Sequence, residues 1–539
     1  MDSRFKQFIR SNFQKMKIII EQIKTSITAQ DNDIFEIAKA RINKTRAFAL
    51  LGDMYIYKRS IDARNKEEIK FVSSVCAEVE AKNKSLNLDY LKKQGIKVFT
   101  EENVEFSYSG QIPKAPPVVV GFGPAGMFCA LGLARAGLKP IVIERGADVD
   151  TRVKAVEGFY ATKTLDVNTN IQFGAGGAGT FSDGKLTTGI NDPKCNFVLK
   201  TLCEFGAPAD IAFKAKPHIG TDLLRNVVKA IAREIERLGG KIFYNTKMLS
   251  YSMDTVFTNN GAFEFSSLIL AIGHSARDTY AYLLEKGIAI EAKPFSVGVR
   301  VEHLQSDINE ALYGRFANDP RLGAASYNVS HRENDRGVYS FCMCPGGEVV
   351  AAQSEENTVV VNGMSCYARD GANANSAIAV QINREDYGST PQKAIAFQRQ
   401  LEKDAFIVAG SDYKAPVQTL GDFYNNRATN EPKRIMPTYM NGYVQVCDIN
   451  RILPKQVCDY LKIGFESFGK KIKGFNASDV PITGVETRTS APVRILRNEN
   501  YTLLGSDNVY PCGEGAGYAG GIMSAAVDGI KVALAILNK

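Results

Sequence analysis

The sequence predicts a mixed fold, part α/β and part α+β, with a discontinuous Rossmann-like dinucleotide-binding domain. A strand of valines at 118–120 leads directly into a glycine-rich turn and an apolar helix. Strands and helices then alternate as far as residue 272, as in a parallel sheet covered by helices. A last strand at 508–511, followed by a glycine-rich loop and a helix, returns the chain to the same sheet.

The first hundred residues predict a ferredoxin-like domain. Apolar periodicity gives the element order βαββαβ, with strands at 17–23, 54–58, 69–79 and 96–100 and helices at 31–42 and 88–93. Residues 1–15 lack the continuous apolar core of a secretory signal, so we interpret them as an extension upstream of a start at Met16. An organellar targeting segment is the alternative.

The predicted domain order places a ferredoxin-like domain at 1–105, followed by a dinucleotide-binding domain in two parts, 112–290 and 480–539. A linker with three prolines at 111–117 separates the first two domains. An inserted antiparallel-sheet substrate domain is predicted over 291–479, between the two parts. Its apolar strands are predicted at 297–302, 338–343, 348–352 and 358–361.

Composition narrows the class of protein. The net charge of +8 is spread thinly, without runs of Lys or Arg, so no nucleic-acid partner is expected. The ten cysteines include no pair with a two-residue gap, which favours a reducing, cytoplasmic compartment. The apolar stretch 118–134 is too short and too rich in glycine for a membrane span. The four histidines have no metal-ligand spacing, so no metal site is predicted.

The strongest motif is a glycine fingerprint within residues 118–146. Gly121 permits a tight turn after the strand, Gly123 lets the backbone approach a pyrophosphate, and Gly126 allows close packing of the helix on the sheet. The N–H groups that open the helix point at the phosphates. Glu144 ends the next strand, at the offset of an acid that accepts hydrogen bonds from a ribose. Together these features predict a dinucleotide site.

The same glycine spacing occurs at 174–179 and at 515–520, without the full context of strand, helix and acid. We interpret the first copy as a flexible backbone loop that lies along the cofactor or the substrate. The second copy precedes the last helix. The N-terminus of that helix either stabilises negative charge on a bound cofactor or simply docks on the sheet.

Eight longer motifs carry a family resemblance. They are GFGPAG (121–126), ERG (144–146), FGAGGAGTFSDGKL (173–186), LAIGHSARD (270–278), FSVGVRVEH (295–303), FCMCPGG (341–347), VETRTSAPVRI (485–495) and GEGAGYAGG (513–521). Together they resemble the uncharacterised bacterial FAD-dependent dehydrogenases, also described as NAD(FAD)-utilising, and more distantly the geranylgeranyl reductases. With KRSIDAR at 58–64, the resemblance extends over nearly the whole chain after Met16.

The resemblance implies FAD as the resident dinucleotide. It implies that Met248 lies near the adenine, Gly273 near the nucleotide, and Glu514 and Ile522 near the ribityl chain and the flavin ring. One departure is Ala175, where family members more often carry an acid. The predicted cofactor-binding residues are Gly121, Gly123, Pro124, Ala125, Gly126, Glu144, Arg145, Lys185, Met248, Gly273, Glu514, Gly521 and Ile522.

Two residues are candidates for the chemistry itself. Cys342, two residues before Cys344 on the same face of a predicted strand, is a candidate for a charge-transfer thiolate or a redox pair, although that spacing makes disulfide geometry awkward. The pattern favours the other interpretation, in which both are buried structural cysteines. Arg488, together with Arg494, is expected to clamp a carboxylate or phosphate of the substrate. The alternative is an ion pair with Glu486 or another nearby acid.

The predicted function is an oxidoreductase that passes a hydride or an electron pair, through FAD, to or from a small-molecule substrate. No second complete nucleotide motif is visible, so NAD(P)H as donor is expected to visit the substrate cleft transiently. A redox partner protein is the other source of electrons. Two alternatives stay open: an RNA-modifying flavoprotein, and a non-redox protein that retains FAD or uses it as a substrate.

Overall fold

The computed structural model describes residues 15–82, 86–101 and 103–539. The chain folds into two compact units. The first unit comprises the described residues up to Val104, together with Pro208–Pro217 and Leu312–Gly323. The second comprises Glu105–Ala207, His218–Ala311 and Ala324–Lys539. Residues 1–14 of the predicted N-terminal extension lie outside the described residues, and the finer division into domains stays a prediction.

The first unit contains a four-stranded antiparallel sheet and two helices. The elements are β1 (Met16–Ser26), α1 (Asp31–Thr45), β2 (Phe48–Asp62), β3 (Lys70–Ala81), α2 (Leu88–Lys93) and β4 (Ile96–Phe99). The strand order is β2-β3-β1-β4. Ile34, Ala38 and Ile42 share one face of α1 and pack with alternate residues of β3, Val75 and Val79. The predicted element order βαββαβ is present.

The other elements follow in chain order. The strands are β5 (Val118–Val120), β6 (Ile141–Ile143), β7 (Lys241–Phe243), β8 (Met248–Tyr251), β9 (Thr255–Thr258), β10 (Gly261–Glu264), β11 (Leu268–Leu270), β12 (Ile290–Ala292), β13 (Phe295–Leu304), β14 (Ser330–Glu333), β15 (Arg336–Cys344), β16 (Gly347–Ala351), β17 (Val361–Ser365), β18 (Asn373–Ile382), β19 (Ala415–Thr419), β20 (Val444–Val446), β21 (Pro481–Glu486), β22 (Val493–Ile495) and β23 (Val509–Pro511). The helices are α3 (Pro124–Arg135), α4 (Val149–Thr162), α5 (Lys194–Glu204), α6 (Thr221–Arg237), α7 (Arg277–Glu285), α8 (Gln305–Tyr313), α9 (Arg384–Tyr387), α10 (Pro391–Val408), α11 (Leu420–Tyr424), α12 (Lys455–Gly469) and α13 (Ile522–Leu537).

The second unit contains a five-stranded parallel sheet in the order β23-β11-β5-β6-β7. All three valines of β5 are buried, as expected for a parallel strand with both faces covered. Helices α3 and α13 pack so closely that a Cβ on Gly529 would strike the carbonyl of Ala125. Because β23 pairs with β11, this sheet is built from two stretches of chain that are far apart in the sequence.

A second, seven-stranded sheet has the order β14-β15-β18-β13-β21-β19-β20 and is antiparallel except for the pair β19–β20. Strands β13 and β15 were predicted in one antiparallel sheet with β16 and β17. Instead, β16 and β17 pair only with each other. The strand predicted at 358–361 was also misplaced. The N–H of Val359 donates to the carbonyl of Glu402 on α10 at 2.9 Å, and regular strand pairing therefore starts only at Val361.

Along the described residues, no helix is both long and apolar enough to cross a membrane. No group of three or more His, Cys, Asp or Glu side chains in this part of the chain is arranged to hold a metal ion. None of the ten cysteines, all of which lie in the described residues, forms a disulfide bond.

Candidate functional site

The carboxyl ends of the parallel strands bring four loops to one edge of the sheet. The loops begin after Val120 of β5, Ile143 of β6, Leu270 of β11 and Pro511 of β23. Strand β5 lies between β6, the next strand in the chain, and β11, which comes about 150 residues later. A crevice for ligands forms at such a point in open parallel sheets. The candidate site lies at this edge.

The first glycine loop, residues 121–126, turns tightly from β5 into α3. Gly121 has a φ of +101°, and a Cβ on it would strike the carbonyl that follows β11. A Cβ on Gly126 would strike the carbonyl of Gly121, so both positions require glycine. A Cβ on Gly123 would meet only the Cα of Gly177, at 3.7 Å. Helix α3 starts at Pro124 without a side-chain cap, so its first N–H groups are available to an anion.

The second glycine loop, residues 174–179, lies across the N-termini of α3 and α13. Gly177 lies against Gly123 of the first loop, and the N–H of Gly176 donates to a carbonyl of that loop at 2.8 Å. Gly179 lies against Ile522, whose Cγ1 would be 3.1 Å from a Cβ on this glycine. The loop therefore forms a wall beside the first glycine loop, in the position expected for a backbone loop along a cofactor.

A buried arginine that no sequence pattern indicated holds the second glycine loop in place. Arg152 on α4 is fully buried and donates to five backbone carbonyls at 2.7–3.3 Å. The carbonyls are those of Asn170, Ile171, Gly174, Ala175 and Gly177. Its guanidinium also lies 4.8 Å from the ring centroid of Phe181. Burial lowers the pKa of Arg152, and the charge of Glu144 acts against the shift.

Glu144 joins the two loops at the end of β6. One carboxylate oxygen, Oε2, accepts the N–H of Phe122 at 2.8 Å. The other, Oε1, accepts the N–H groups of Gly146 and Gly174, both at 3.0 Å. Because each carboxylate oxygen has about two lone pairs, one acceptor position on Oε2 is left for a ribose hydroxyl. The predicted ribose contact is compatible with the structure, and the carboxylate has a structural task that the sequence did not show.

The third glycine loop, residues 513–521, closes the site from the β23 side. A Cβ on Gly515 would lie 2.6 Å from the nitrogen of Gly273, so these two glycines are in direct contact. The hydroxyl of Tyr280 on α7 donates to the carbonyl of Gly515 at 2.7 Å and lies 3.2 Å from that of Gly273. Asp528 of α13 accepts the N–H of Gly513 at 2.7 Å. Neither Tyr280 nor Asp528 belongs to a motif that sequence reasoning singled out.

The third loop also carries an acid and an open helix end. Burial raises the pKa of Glu514 to about 7, and among the described residues only the charge of Lys293 acts against this shift. No hydrogen bond to the Glu514 carboxylate contributes within that part of the chain. Gly521 precedes α13, which has no side-chain cap, and a Cβ on Gly521 would meet no described atom within 4 Å. The loop thus offers an acceptor for hydroxyl groups and donors for an anion.

An ion-pair cluster joins Arg145 to Lys247, the residue before Met248. Arg145 donates to Asp278 at 2.8 Å, and its guanidinium lies 4.2 Å from the ring centroid of Phe173. Lys247, the residue before Met248, pairs with the same acid at 2.6 Å. Burial alone would raise the pKa of Asp278, but the charges of Arg145 and Lys247 lower it to about 2. Arg145 and Lys247, the neighbour of the predicted adenine contact Met248, therefore pair with one carboxylate.

Arg488 belongs to a buried ion network. It donates to the carboxylate of Glu402 at 3.0 and 3.1 Å and to the hydroxyls of Ser275 and Ser354 at 3.0 and 2.6 Å. Arg277 donates to the same carboxylate at 2.7 and 2.8 Å. Despite burial, the two guanidinium groups hold the pKa of Glu402 well below its usual range. Because every guanidinium nitrogen of Arg488 already donates to the protein, the structure favours the ion-pair interpretation over a substrate clamp.

Cys342 and Cys344 lie at an irregular end of β15. The register of pairing with β18 shifts between Phe341 and Cys344, and Cys342 has a φ of +47°, so the regular strand geometry expected for the pair is wrong. Lys185, which follows the second glycine loop, donates to the carbonyl of Met343, and its Nζ lies 4.0 Å from Cys344 Sγ. Lys185, one of the predicted cofactor-binding residues, is therefore a partner of this turn.

A family model described as "FAD-dependent protein, C-terminal domain-like" matches residues 294–489. A protein of Clostridium beijerinckii (strain ATCC 51743 / NCIMB 8052), described as an uncharacterized protein, is 49% identical over 493 residues. The match covers 90% of this chain and 92% of that protein. The chain belongs to the family of this clostridial protein. These matches confirm the family resemblance of the motifs, and FAD is the cofactor.

Solved structures of flavoproteins resemble this chain with much lower sequence identity and with low TM-scores. A geranylgeranyl bacteriochlorophyll reductase-like protein from Thermoplasma acidophilum has a TM-score of 0.33 and 13% identity, with 79% of this chain and 78% of that chain covered. Aklavinone-11 hydroxylase, solved with FAD and aklavinone, has a TM-score of 0.33 and 12% identity, with coverage of 79% and 62%. Likenesses of this size say nothing about substrate or reaction.

The residues at the sheet edge fit FAD. Its pyrophosphate would lie at the uncapped N-terminus of α3, beside Gly123, and its flavin end at the uncapped N-terminus of α13, beside Gly521. Its ribityl hydroxyls would donate to the carboxylate of Glu514, which lacks other hydrogen bonds among the described residues. Its adenosine ribose would use the free acceptor position of Glu144. The individual contacts stay predictions.

Proposed function

We propose that the protein is an FAD-dependent oxidoreductase that transfers a hydride or an electron pair to or from a small-molecule substrate. The observation that supports this proposal most directly is the meeting of three glycine loops and two uncapped helix N-termini at one sheet edge. FAD, when bound, supplies two-electron chemistry that side chains lack. The residues of the chain bind and orient the dinucleotide, and loop 174–179 limits the access of water to it.

The electron donor is proposed to be NAD(P)H that enters the substrate cleft transiently, or a redox partner protein. In the described parallel sheet, β5 alone is followed by a glycine fingerprint, a helix and an acid-bearing strand. A resident second dinucleotide would need another such unit. A donor that binds and leaves in each turnover needs only access to the substrate cleft. The single fingerprint unit in the described sheet therefore supports such a donor.

The deciding experiment is a visible spectrum of the purified protein, followed by anaerobic reduction with NADH, NADPH and dithionite in separate titrations. We expect bound FAD that dithionite bleaches fully and that one nicotinamide bleaches at a catalytically useful rate. A bound flavin that no reductant bleaches would leave FAD as a structural group and remove the redox proposal. Salt-sensitive binding of tRNA, without reduction by nicotinamide, would favour the RNA-modifying alternative.

A substitution at Gly123 tests the cofactor position itself. In Gly123→Asp the added Cβ makes an ordinary van der Waals contact, with its nearest atom 3.7 Å away, and the side chain places a carboxylate at the expected pyrophosphate. FAD content is expected to fall at least about tenfold through charge repulsion at the helix N-terminus. Gly189→Asp is the matched control, since Gly189 is exposed and a Cβ on it meets no described atom within 4 Å. Equal FAD content in both variants would contradict the assigned position.

A further inference from the structure

The turn at Cys342 and Cys344 is a cluster of thiols and charges that the proposed function does not use. Both cysteines are free; Cys342 is partly exposed and Cys344 is buried. In a regular strand, residues two apart stand about 6.6 Å apart on one face, near the upper limit for a disulfide. Here the left-handed backbone of Cys342 folds the chain, and Cys344 Sγ lies 3.2 Å from the carbonyl oxygen of Cys342.

Two cations contact this turn. Lys185 bonds the carbonyl between the two cysteines, and its Nζ lies 4.0 Å from Cys344 Sγ. Arg300, fully buried on β13, donates through Nη1 to the carbonyl of Cys342 at 3.2 Å. Both cations come from elements other than β15. The turn is therefore held by positive charge from two sides.

The acids near the turn are held by the same cations. Asp183 lies 3.5 Å from Lys185 Nζ and also accepts Arg369 at 2.5 and 2.9 Å. Glu486 accepts Arg300 at 2.9 and 3.2 Å. The hydrogen bond from Cys344 and these cations lower the pKa of Cys342 well below its ordinary value, whereas that hydrogen bond and burial raise the pKa of Cys344. Cys342, the more exposed residue of the two, is thus the better nucleophile, and the protonated thiol of Cys344 lies two residues away.

We propose that Cys342 and Cys344 form a redox-active dithiol that exchanges with small-molecule disulfides, Cys342 being the attacking sulfur and Cys344 the resolving one. The Cys342 thiolate attacks one sulfur of the disulfide, forms a mixed disulfide and releases one thiolate. Cys344 passes its proton to that leaving group, and its sulfur then attacks Cys342 and releases the second thiolate. The dithiol loses two electrons, and the substrate gains them as one thiol and one thiolate.

Return of the Cys342–Cys344 disulfide to its starting state needs two electrons and one proton. We assign the electrons to the FAD-dependent transfer proposed above, so this half of the inference rests on the proposed function. The exchange of the dithiol with small-molecule disulfides does not rest on the proposed function. If exchange is observed but reduced flavin does not re-reduce the disulfide, the dithiol proposal stands and only its link to the flavin is contradicted. A flavin that accepts electrons from nicotinamide, with no exchange at the turn, would overturn the dithiol and leave the proposed function intact.

The first test uses the full-length wild-type protein, reduced and freed of reductant. Iodoacetamide is applied between about pH 5 and 9, and mass spectrometry follows alkylation at Cys342 and at the exposed Cys366 in the same molecule. Burial raises the pKa of Cys366, so this thiol is the internal reference. We expect Cys342 to react at least about tenfold faster at neutral pH. Equal rates would overturn the proposal, and no variant that fails to fold can obscure this result.

The second test adds hydroxyethyl disulfide as the probe. Wild type is expected to yield a Cys342–Cys344 peptide that has lost two hydrogens, and Cys344→Ser is expected to stop at a mixed disulfide on Cys342. Lys185→Met should slow the reaction, because it removes the ammonium group near the sulfur atoms. Cys366→Ser is the control and should behave as wild type. A mixed disulfide that persists in wild type, or none in Cys344→Ser, would contradict the assigned roles.

Discussion

The hydroxyl of Tyr280 donates to the carbonyl of Gly515 at 2.7 Å and lies 3.2 Å from the carbonyl of Gly273. One buried side chain thus joins the loops after β11 and β23, which are far apart in sequence and both border the proposed FAD site. Tyr280→Phe is expected to lower the free energy of unfolding by about 1 kcal/mol and to weaken FAD binding a few-fold. Urea unfolding and a fluorimetric FAD titration measure the two effects.

The control for this prediction is a second buried tyrosine. The hydroxyl of Tyr510 on β23 has no hydrogen-bond partner among the described residues. Tyr510→Phe is therefore expected to be neutral or slightly stabilising and to leave FAD binding unchanged. If both variants lost FAD equally, the hydrogen bonds of Tyr280 would not be the cause.

Arg152 should be needed for the second glycine loop. Arg152→Met keeps most of the side-chain volume but removes all five hydrogen bonds, three to the loop itself and two to Asn170 and Ile171 just before it. The free energy of unfolding is expected to fall by about 3 kcal/mol or more, with loss of bound FAD. Chemical denaturation measures the first effect and the visible spectrum the second. Lys154→Met, on the exposed face of the same helix, should change neither quantity.

The two arginines that border the 489–493 turn should differ in their contribution to stability. Arg488→Met leaves the buried carboxylate of Glu402 with one cation in place of two, and is expected to cost about 3–5 kcal/mol in denaturant unfolding. Arg494→Met removes a half-exposed pair with Glu291 and should cost less than about 1 kcal/mol. A stable Arg488→Met protein with only a raised KM would instead support the substrate-clamp hypothesis.

Glu514 should make the stability of the FAD-free protein depend on pH. Its pKa in the folded state is raised to about 7, above the value of about 4.3 in unfolded chains. Below pH 4.3 or so both states are protonated and burial costs nothing. As the pH rises towards 7, the unfolded chain ionises first, so the stability should fall, and above 7 this contribution should be constant.

Glu514→Gln is expected to remove this pH dependence and to make the FAD-free protein more stable than wild type above neutral pH. Unfolding in urea at a series of pH values measures both curves. Because ribityl hydroxyls favour the ionised carboxylate, FAD binding near pH 6.5 should release a proton from wild type and not from the variant. Calorimetry in buffers of different ionisation enthalpy detects that proton. Identical slopes for the two proteins would show that another group is responsible.

Local features of the sequence were sufficient for much of the fold. The turn at Gly121 and the helix from Pro124 were predictable because glycine spacing and apolar runs act over a few residues. The element order βαββαβ was predictable for the same reason. Strand 358–361 was misplaced because Val359 satisfies its N–H through α10, more than forty residues later in the chain. Apolar valines indicate burial, but they do not indicate which partner completes the hydrogen bond.

Short stretches of sequence were enough to locate the dinucleotide fingerprint, the two further glycine loops and the family resemblance that implied FAD. The packed chain was needed to show that the three loops meet at one sheet edge, that Arg152 and Tyr280 hold them, and that Arg488 pairs with Glu402. The difference lies in the distance along the chain over which each interaction acts. Turns and helix starts depend on neighbouring residues, whereas buried hydrogen bonds and ion pairs depend on which remote groups the packed chain brings within about 3 Å.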